Sequence, residues 1–367
     1  MEIKKGTPSR TSLYDEHLKL NAKMIDFHGW NMPLEYTKIV DEHLSVRNNV
    51  GIFDISHMGD IVISGKNSNE FVDYLFPTKI SDLKVNECIY TSFLDDNGKM
   101  IDDTIIERVD ENKFFLIPNA ANIYKIFKWI DGNKKNYDVE IIDYSDKISH
   151  IAVQGPKTED ILKELNIKMP MQFRFLLERI DYDNLLIDDK KMIVSGTGYT
   201  GERGVELIIP NVYAAELWEK IIRILPKYGG LPCGLGSRDT LRMEKGMLLS
   251  GQDFNDDRTP YEASISFIIN YEHDFIGKTK LMESKNKYSI IFRGFKLNGK
   301  NIPRNGFKIY HDNEVIGNIT SGSLSPILNC GIGLGYIDRR FVKTKEPVFI
   351  DIRGKQIEAN ISKPKLL

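Results

Sequence analysis

Residues 196–201 read Gly196-Thr197-Gly198-Tyr199-Thr200-Gly201, the glycine spacing of a dinucleotide-binding fingerprint. That fingerprint works only where a strand leads into a helix, because the pyrophosphate rests on the helix N-terminus. Met192-Ile193-Val194 supplies a plausible strand before it. After it comes Val205-Glu206-Leu207-Ile208-Ile209-Pro210, β-branched, apolar and closed by proline, which reads as a second strand. The unit is therefore strand–loop–strand, and no nicotinamide cofactor is expected. A glycine loop that delivers Tyr199 and Glu206 to one place suits a flat, nitrogen-rich ligand better than a phosphate. A plain β-hairpin with a long glycine loop is an equally open reading of this segment.

The chain around that loop has an ordinary globular composition. Its 367 residues make two to three domains by length. The net charge is −2 with both signs mixed, which argues against nucleic-acid or membrane attraction. Cys88, Cys233 and Cys330 are far apart and form no C-x-x-C, so neither zinc nor a disulfide framework is indicated. Met1 to Arg10 is polar, so no signal peptide is expected. No apolar run is long enough to span a bilayer. A cytoplasmic location follows as the default.

An internal echo organises the first three quarters. Ile61-Val62-Ile63-Ser64-Gly65 with a helical stretch to Leu75 resembles Ile151-Ala152-Val153-Gln154-Gly155 with a helical stretch to Leu165. Pro156 suits the first helical position, and Pro77 stops the first helix. Two related α+β units are implied, one from near residue 50 and one from near 148. Ala214, Leu217, Trp218, Ile221 and Leu225 recur at helical spacing and predict a helix from about Tyr213 to Leu225. Beyond about residue 285, short apolar runs alternate with turn pairs such as Asn305-Gly306 and Asp312-Asn313. This reads as a separate all-β domain, a small barrel or sandwich.

Asp102-Asp103 is the sharpest carboxylate signal. Tyr90–Leu94 reads as a strand, residues 95–98 as a turn, and Met100–Val109 as the returning strand. By alternation Asp103 shares a face with Ile101, Ile105 and Val109, and Asp102 with Met100, Thr104, Ile106 and Arg108. A carboxylate on an apolar face must find hydrogen bonds or take a proton. Catalytic tuning and a purely structural role both fit that pattern. Gly234-Leu235-Gly236-Ser237-Arg238-Asp239 reads as a glycine loop opening a helix with Ser237 as N-cap. Arg238 is then free to take a carboxylate with its fork, unless it pairs at the surface with Asp239 or Glu244. Ser56-His57, read as strand neighbours, point to opposite faces and make no triad. The histidines show no metal-ligand spacing, so no metal is expected.

Together these residues resemble the aminomethyltransferase, or T-protein, family of the glycine cleavage system. The resemblance runs nearly end to end through Asp26-Phe27-His28-Gly29-Trp30-Asn31-Met32-Pro33, Gly51-Ile52-Phe53-Asp54-Ile55-Ser56-His57-Met58-Gly59, Met100-Ile101-Asp102-Asp103, Asn119-Ala120-Ala121-Asn122, Gly198-Tyr199-Thr200-Gly201-Glu202 and the segment 234–239. It implies an α+β fold: an antiparallel-sheet folate-binding module of two related α+β units around a central channel, plus a C-terminal all-β barrel. The expected division is residues 1–50 with 145–275 as one unit, 51–144 as an inserted unit carrying the Asp-Asp hairpin, and 285–367 as the barrel. The implied reaction passes an aminomethyl carbon from the lipoyl arm of H-protein to tetrahydrofolate. Its products are methylenetetrahydrofolate, ammonia and the dihydrolipoyl arm. The same resemblance makes Asp103 the catalytic residue and Glu206 the pterin holder. Asn119, Tyr90, Tyr199, Met58 and Arg238 match folate-pocket positions.

The chain departs from the family at Gly98-Lys99, where two glycines are common, and at Glu107, where a tyrosine can stand. Two other members of the superfamily compete. The folate-binding protein of iron–sulfur cluster maintenance carries K-G-C-x-x-G-Q-E, but here the segment begins Lys245-Gly246-Met247, and methionine forms no thiolate. A tetrahydrofolate-dependent demethylase of a small methylated substrate would keep the folate pocket and change only the donor side.

Overall fold

The computed structural model describes residues 7–179, 191–344 and 346–367. In chain order it begins β1 (Ser9–Arg10), α1 (Tyr14–Lys19), β2 (Lys23–Phe27), β3 (Trp30–Glu35), α2 (Ile39–Asn48), β4 (Gly51–Asp54), β5 (Ile61–Ser64) and α3 (Ser68–Leu75). The hairpin β6 (Cys88–Leu94) and β7 (Met100–Asp110) follows, then β8 (Lys113–Pro118), α4 (Ile123–Asn133), β9 (Glu140–Asp143), β10 (Ile148–Gln154), α5 (Thr158–Glu164) and β11 (Phe175–Arg179). Next come β12 (Lys191–Ser195), β13 (Gly204–Pro210), α6 (Asn211–Ile224), β14 (Leu231–Pro232), α7 (Leu235–Glu244) and α8 (Lys278–Ser284). The last six strands are β15 (Ile290–Leu297), β16 (Lys308–His311), β17 (Glu314–Ser325), β18 (Cys330–Asp338), β19 (Val348–Ile352) and β20 (Lys355–Ser362).

Two sheets stand face to face. One has the order β11-β12-β13-β10-β4-β14 and the other β6-β7-β8-β5-β9. Alternation along the strands explains the stacking. On β13, Val205, Leu207 and Ile209 point to α5 and α6, where Ile161, Leu162, Ala214, Trp218 and Ile221 complete a buried cluster. On β5 and β8, Ile61, Ile63, Phe114 and Leu116 point to α3 and α4. The residues between them in sequence, Val62, Phe115, Ile117, Ile193 and Ile208, meet in a third cluster between the sheets. The layers are thus helix, sheet, sheet, helix. The pairing is antiparallel except where β14 lies parallel to β4 and β1 parallel to β3. β4 sits beside β10 in the six-stranded sheet, and the chain crosses to the second sheet only after Asp54.

The echoed steps share one backbone geometry, with φ of +129° at Gly65 and +130° at Gly155. Pro156, however, precedes the helix, whose N-cap is Lys157. The helix expected from about Tyr213 to Leu225 is α6, which spans Asn211–Ile224. The C-terminal region closes as a six-stranded barrel in the order β15-β18-β17-β16-β19-β20. Phe295, Ile309, Ile319, Ile337 and Ile350 fill its interior. Phe292, Ile332, Leu334 and Tyr336 pack outward against Leu94, Met100 and Met243. The barrel therefore braces the β6–β7 hairpin and α7 from behind.

Candidate active site

A cavity of about 1210 Å³ opens between the two sheets and α7. All seven residues singled out from sequence line it: Asp103, Tyr90, Asn119, Met58, Tyr199, Glu206 and Arg238.

The hairpin places the first of them. A bulge opposite Phe93 and Leu94 makes Ile101 an extra residue, so Asp102 pairs with Phe93 and Asp103 with Ser92. Ile101 joins Ile106 on the helix side, not Asp103 as strict alternation predicts, because a bulge resets the alternation. Asp103 faces the cavity with Ile105. Tyr90 donates its hydroxyl to Asp103 Oδ2 at 2.7 Å, and Asn119 Nδ2 reaches Asp103 Oδ1 at 2.7 Å. Asp102 points the other way and is fully buried. It accepts from the Asn119 backbone N–H at 3.0 Å, from Asn119 Nδ2 at 2.9 Å and from Asn122 Nδ2 at 2.9 Å. Burial, then the neighbouring Asp102 charge, pushes the Asp103 carboxyl up to about 7. Burial raises the Asp102 carboxyl as well, but its hydrogen bonds from Asn122 and Asn119 pull it back, so of the two Asp103 is the member that keeps a proton to higher pH. Two adjacent carboxyls with different environments are a means of setting one as an acid–base group near neutral pH.

The glycine loop places the second set. A Cβ at Gly198 would lie 2.1 Å from Gln154 Oε1, and one at Gly204 would lie 2.4 Å from Gln154 Nε2. Gln154 in turn donates to the Thr197 and Val205 carbonyls and accepts from Thr200. The glycines make room for this side chain, and Gly204 opens a strand. Tyr199 hangs into the cavity with its hydroxyl on the Leu248 carbonyl, and the Arg238 guanidinium lies 4.7 Å from its ring centroid. Glu206 accepts from Thr197 Oγ1 at 2.6 Å.

Arg238 sits in the first turn of α7 and makes no ion pair with a described carboxylate. Asp239 is taken by Arg242, and Glu244 by His43 and Arg47. The N-cap is Gly234, not Ser237. Ser237 lies three residues in and donates to Glu42 Oε2 and the Gly234 carbonyl. Glu42 also takes the Gly234 N–H and so ties down the loop that opens the helix, while no side chain caps the helix itself.

The same cavity, flanked by these two residue sets, lies within the chain's family matches. Residues 13–273 match the GCVT N-terminal domain, and residues 292–367 match the glycine cleavage T-protein C-terminal barrel domain. The chain belongs to the glycine cleavage T-protein family of aminomethyltransferases. An aminomethyltransferase of Thermoanaerobacter pseudethanolicus is 42% identical over 356 residues, covering 96% of this chain and 95% of that one. One of Thermosipho melanesiensis is 40% identical over 361 residues, with 96% and 95% covered. The crystal structure of glycine cleavage system aminomethyltransferase T from Bartonella henselae superposes with a TM-score of 0.90 at 28% identity, covering 98% of each chain. The fold and the activity, aminomethyl transfer in glycine cleavage, are those of this family.

Several residues in or behind the T-protein cavity stand within the motifs, but their roles carried no signal in the sequence. His57 is in the turn after β4, not on a strand, and burial with the Arg238 charge holds its imidazole down to about 3. It is a neutral wall of the cavity. Asn122 and Thr197 act one step back, on Asp102 and Glu206. Lys99, at the departure from two glycines, reaches Glu262 at 3.0 Å and ties the hairpin turn to the loop before the barrel. Met247 lines the cavity at the position where the iron–sulfur relative carries its cysteine. Among the described residues, the one cluster with metal-ligand atoms close together is His311, Asp312 and Glu346 on the barrel surface, not in the cavity. No described helix is long and apolar enough to cross a membrane.

Proposed function

We propose that the acceptor is tetrahydrofolate and the donor the aminomethyl-loaded lipoyl arm of H-protein, in the cytoplasm, with no metal and no nicotinamide cofactor taking part. The observation that carries this reading is the tuned Asp102–Asp103 pair on one cavity wall with Glu206, Tyr199 and Arg238 gathered in the same cavity. A reduced pterin offers ring N–H groups that Glu206 accepts through charge-assisted bonds. Tyr199 stacks on its face, with its own back covered by Arg238. Met58 and Ile105 supply apolar wall. Arg238 also remains available to a ligand anion.

In the reaction, two folate nitrogens bond to the incoming carbon and lose their protons. One proton goes to the departing amine, which leaves as ammonia, and one to the lipoyl sulfur. Asp103 is placed to take a proton from a folate nitrogen and return it to a leaving group. Tyr90 and Asn119 hold its two oxygens in place. The direct test is ammonia release from aminomethyl-loaded H-protein with and without tetrahydrofolate. Release that ignores tetrahydrofolate defeats the proposal.

Two expectations follow. Glu206→Gln weakens tetrahydrofolate binding by about 1.5–3 kcal/mol, the worth of a charge-assisted hydrogen bond, and slows the bound complex less. Titration calorimetry gives the affinity, and an unchanged value removes Glu206 from the pterin. Loaded H-protein is expected to exceed free aminomethyl-lipoate as donor in kcat/KM, because protein contacts position the arm. Equal kcat/KM for the two donors means that no docking surface operates.

A further inference from the structure

Glu107 is the buried ionisable group for which the proposed reaction has no use. It lies on β7, four residues after Asp103 on the same inward face, paired with Cys88 on β6 and Phe115 on β8. It is fully buried. Neither carboxyl oxygen has a hydrogen-bond partner, and the same layer holds two more unpaired polar atoms, His150 Nδ1 and Asp60 Oδ2. The groups that face Glu107 are Cys88 from β6, Ser195 from β12, Glu206 from β13, His150 from β10 and Asp60 from the turn before β5. None is a lysine or an arginine. His150 is already engaged, with Nε2 on Asp60 Oδ1 at 2.6 Å. A carboxylate with no hydrogen-bond donor and no lysine or arginine beside it is costly in such a layer, where the one basic neighbour, His150, is already paired with Asp60, and the neutral acid is the form that fits.

A short polar chain leads from the cavity toward Glu107. The Ser195 hydroxyl lies beside it without completing a bond. Thr197 Oγ1 is 3.1 Å from Ser195 Oγ and 2.6 Å from Glu206 Oε2. Glu206 and Ser195 are also cross-strand partners. Hydrogen bonds run from Glu206 through Thr197 to Ser195, and the last step, from Ser195 to Glu107, is open, so one carboxyl stands at the cavity and the other just behind the end of this line.

We propose that Glu107 is a positioning residue: it stands as the neutral acid behind Glu206 and adds no second negative charge to the layer, so that the Glu206 carboxylate meets the ligand N–H groups. The inference rests on the reading of Glu206 as the pterin-holding group. Burial, and then the Glu206 and Asp60 charges against the pull of Ser195 and His150, push the Glu107 carboxyl up to about 7. Ligand N–H groups that fix the charge on Glu206 and displace water make a second charge at Glu107 costlier still. Tetrahydrofolate binding is then coupled to proton uptake at Glu107 above neutral pH.

The test is anaerobic titration calorimetry with tetrahydrofolate, at several pH values from about 6.5 to 8.5 and in buffers of different ionisation enthalpy. The Asp103→Asn protein is the background, because Asp103 also titrates near neutrality. In that protein, binding takes up a fraction of a proton that grows with pH toward one, and affinity falls by up to about tenfold per pH unit, the limit for one linked proton. In Asp103→Asn with Glu107→Gln the uptake disappears and affinity is flat with pH. No uptake in Asp103→Asn alone overturns the proposal without any change at Glu107, as does uptake that survives Glu107→Gln. Glu206→Gln in the same titration separates the two readings. Unchanged affinity there defeats the pterin role of Glu206. Weakened affinity there, with pH dependence intact in the Glu107→Gln protein, defeats only the role of Glu107.

Discussion

Replacing Asp103 with asparagine lowers turnover by roughly a hundred- to ten-thousand-fold, the worth of a positioned acid–base group, and leaves the fold in place. Asparagine keeps the size of the side chain and still accepts one bond from Tyr90 or Asn119. It removes the exchangeable proton. Asp102→Asn acts differently. It turns an amide donor toward the Asn119 and Asn122 donors, which costs about 1–3 kcal/mol of stability, while the folded fraction keeps more activity than Asp103→Asn does. Steady-state ammonia release, corrected for folded protein, ranks the two. Equal losses, or a larger loss at Asp102, reverse the assignment of roles. The pH profile gives a second readout. Burial and the Asp102 charge raise Asp103 to about 7, so the base form, and with it activity, rises with pH through an acid limb near neutrality. Removing the Asp102 charge lowers Asp103, and the limb moves to lower pH in Asp102→Asn.

The second large effect lies behind the cavity. Arg242 and Asp253 are both buried. Arg242 Nη1 meets Asp253 Oδ2 at 2.5 Å, and its Nη2 meets Ser321 Oγ at 2.7 Å. Asp253 also accepts from the Leu249 N–H at 2.9 Å, Thr320 Oγ1 at 2.5 Å and Ser321 Oγ at 2.7 Å. The cluster bolts α7, and with it Arg238, to barrel strand β17. Asp253→Ala removes the buried partner of that guanidinium and leaves it only the half-exposed Asp239 at 2.8 Å, which costs about 3 kcal/mol, whereas replacing both charges with apolar side chains of similar volume restores much of it. Urea unfolding at constant slope measures each variant. A loss under about 1 kcal/mol for Asp253→Ala contradicts the buried-pair account.

Much of this was readable in order along the chain. The strand after Gly201 was legible because β-branched residues and Pro210 announce β13 locally. The barrel followed from short apolar runs and turn pairs, and the two α+β units from a repeated strand–glycine–helix step. Local reading failed where a distant residue intervened. The bulge at Phe93 and Leu94 moved Ile101 to the other face, and Glu42, far away in sequence, drew the hydroxyl of Ser237, a residue inside the helix, away from the capping that it seemed suited to do. Pro156, placed at a helix start by its type, stands in the turn before it.

The glycine spacing shows the same division. Sequence alone established that a glycine loop joins two strands and carries Tyr199 toward Glu206. Only the tertiary structure decided why the glycines are there, since the Met171 carbonyl at Gly196, the Gln154 side chain at Gly198 and the Lys245 side chain at Gly201 occupy the space where side chains would stand. The carboxylate pair divides likewise. Two adjacent aspartates on a strand point to opposite faces by backbone geometry alone, so the sequence determined that their environments differ. Which one carries the proton depends on Asn119 and Asn122 reaching Asp102 from the next strand's end and on the depth of the layer between the sheets. Those are long-range packing facts, and desolvation and donor count, which set the protonation, exist only once the sheets have closed over the cavity.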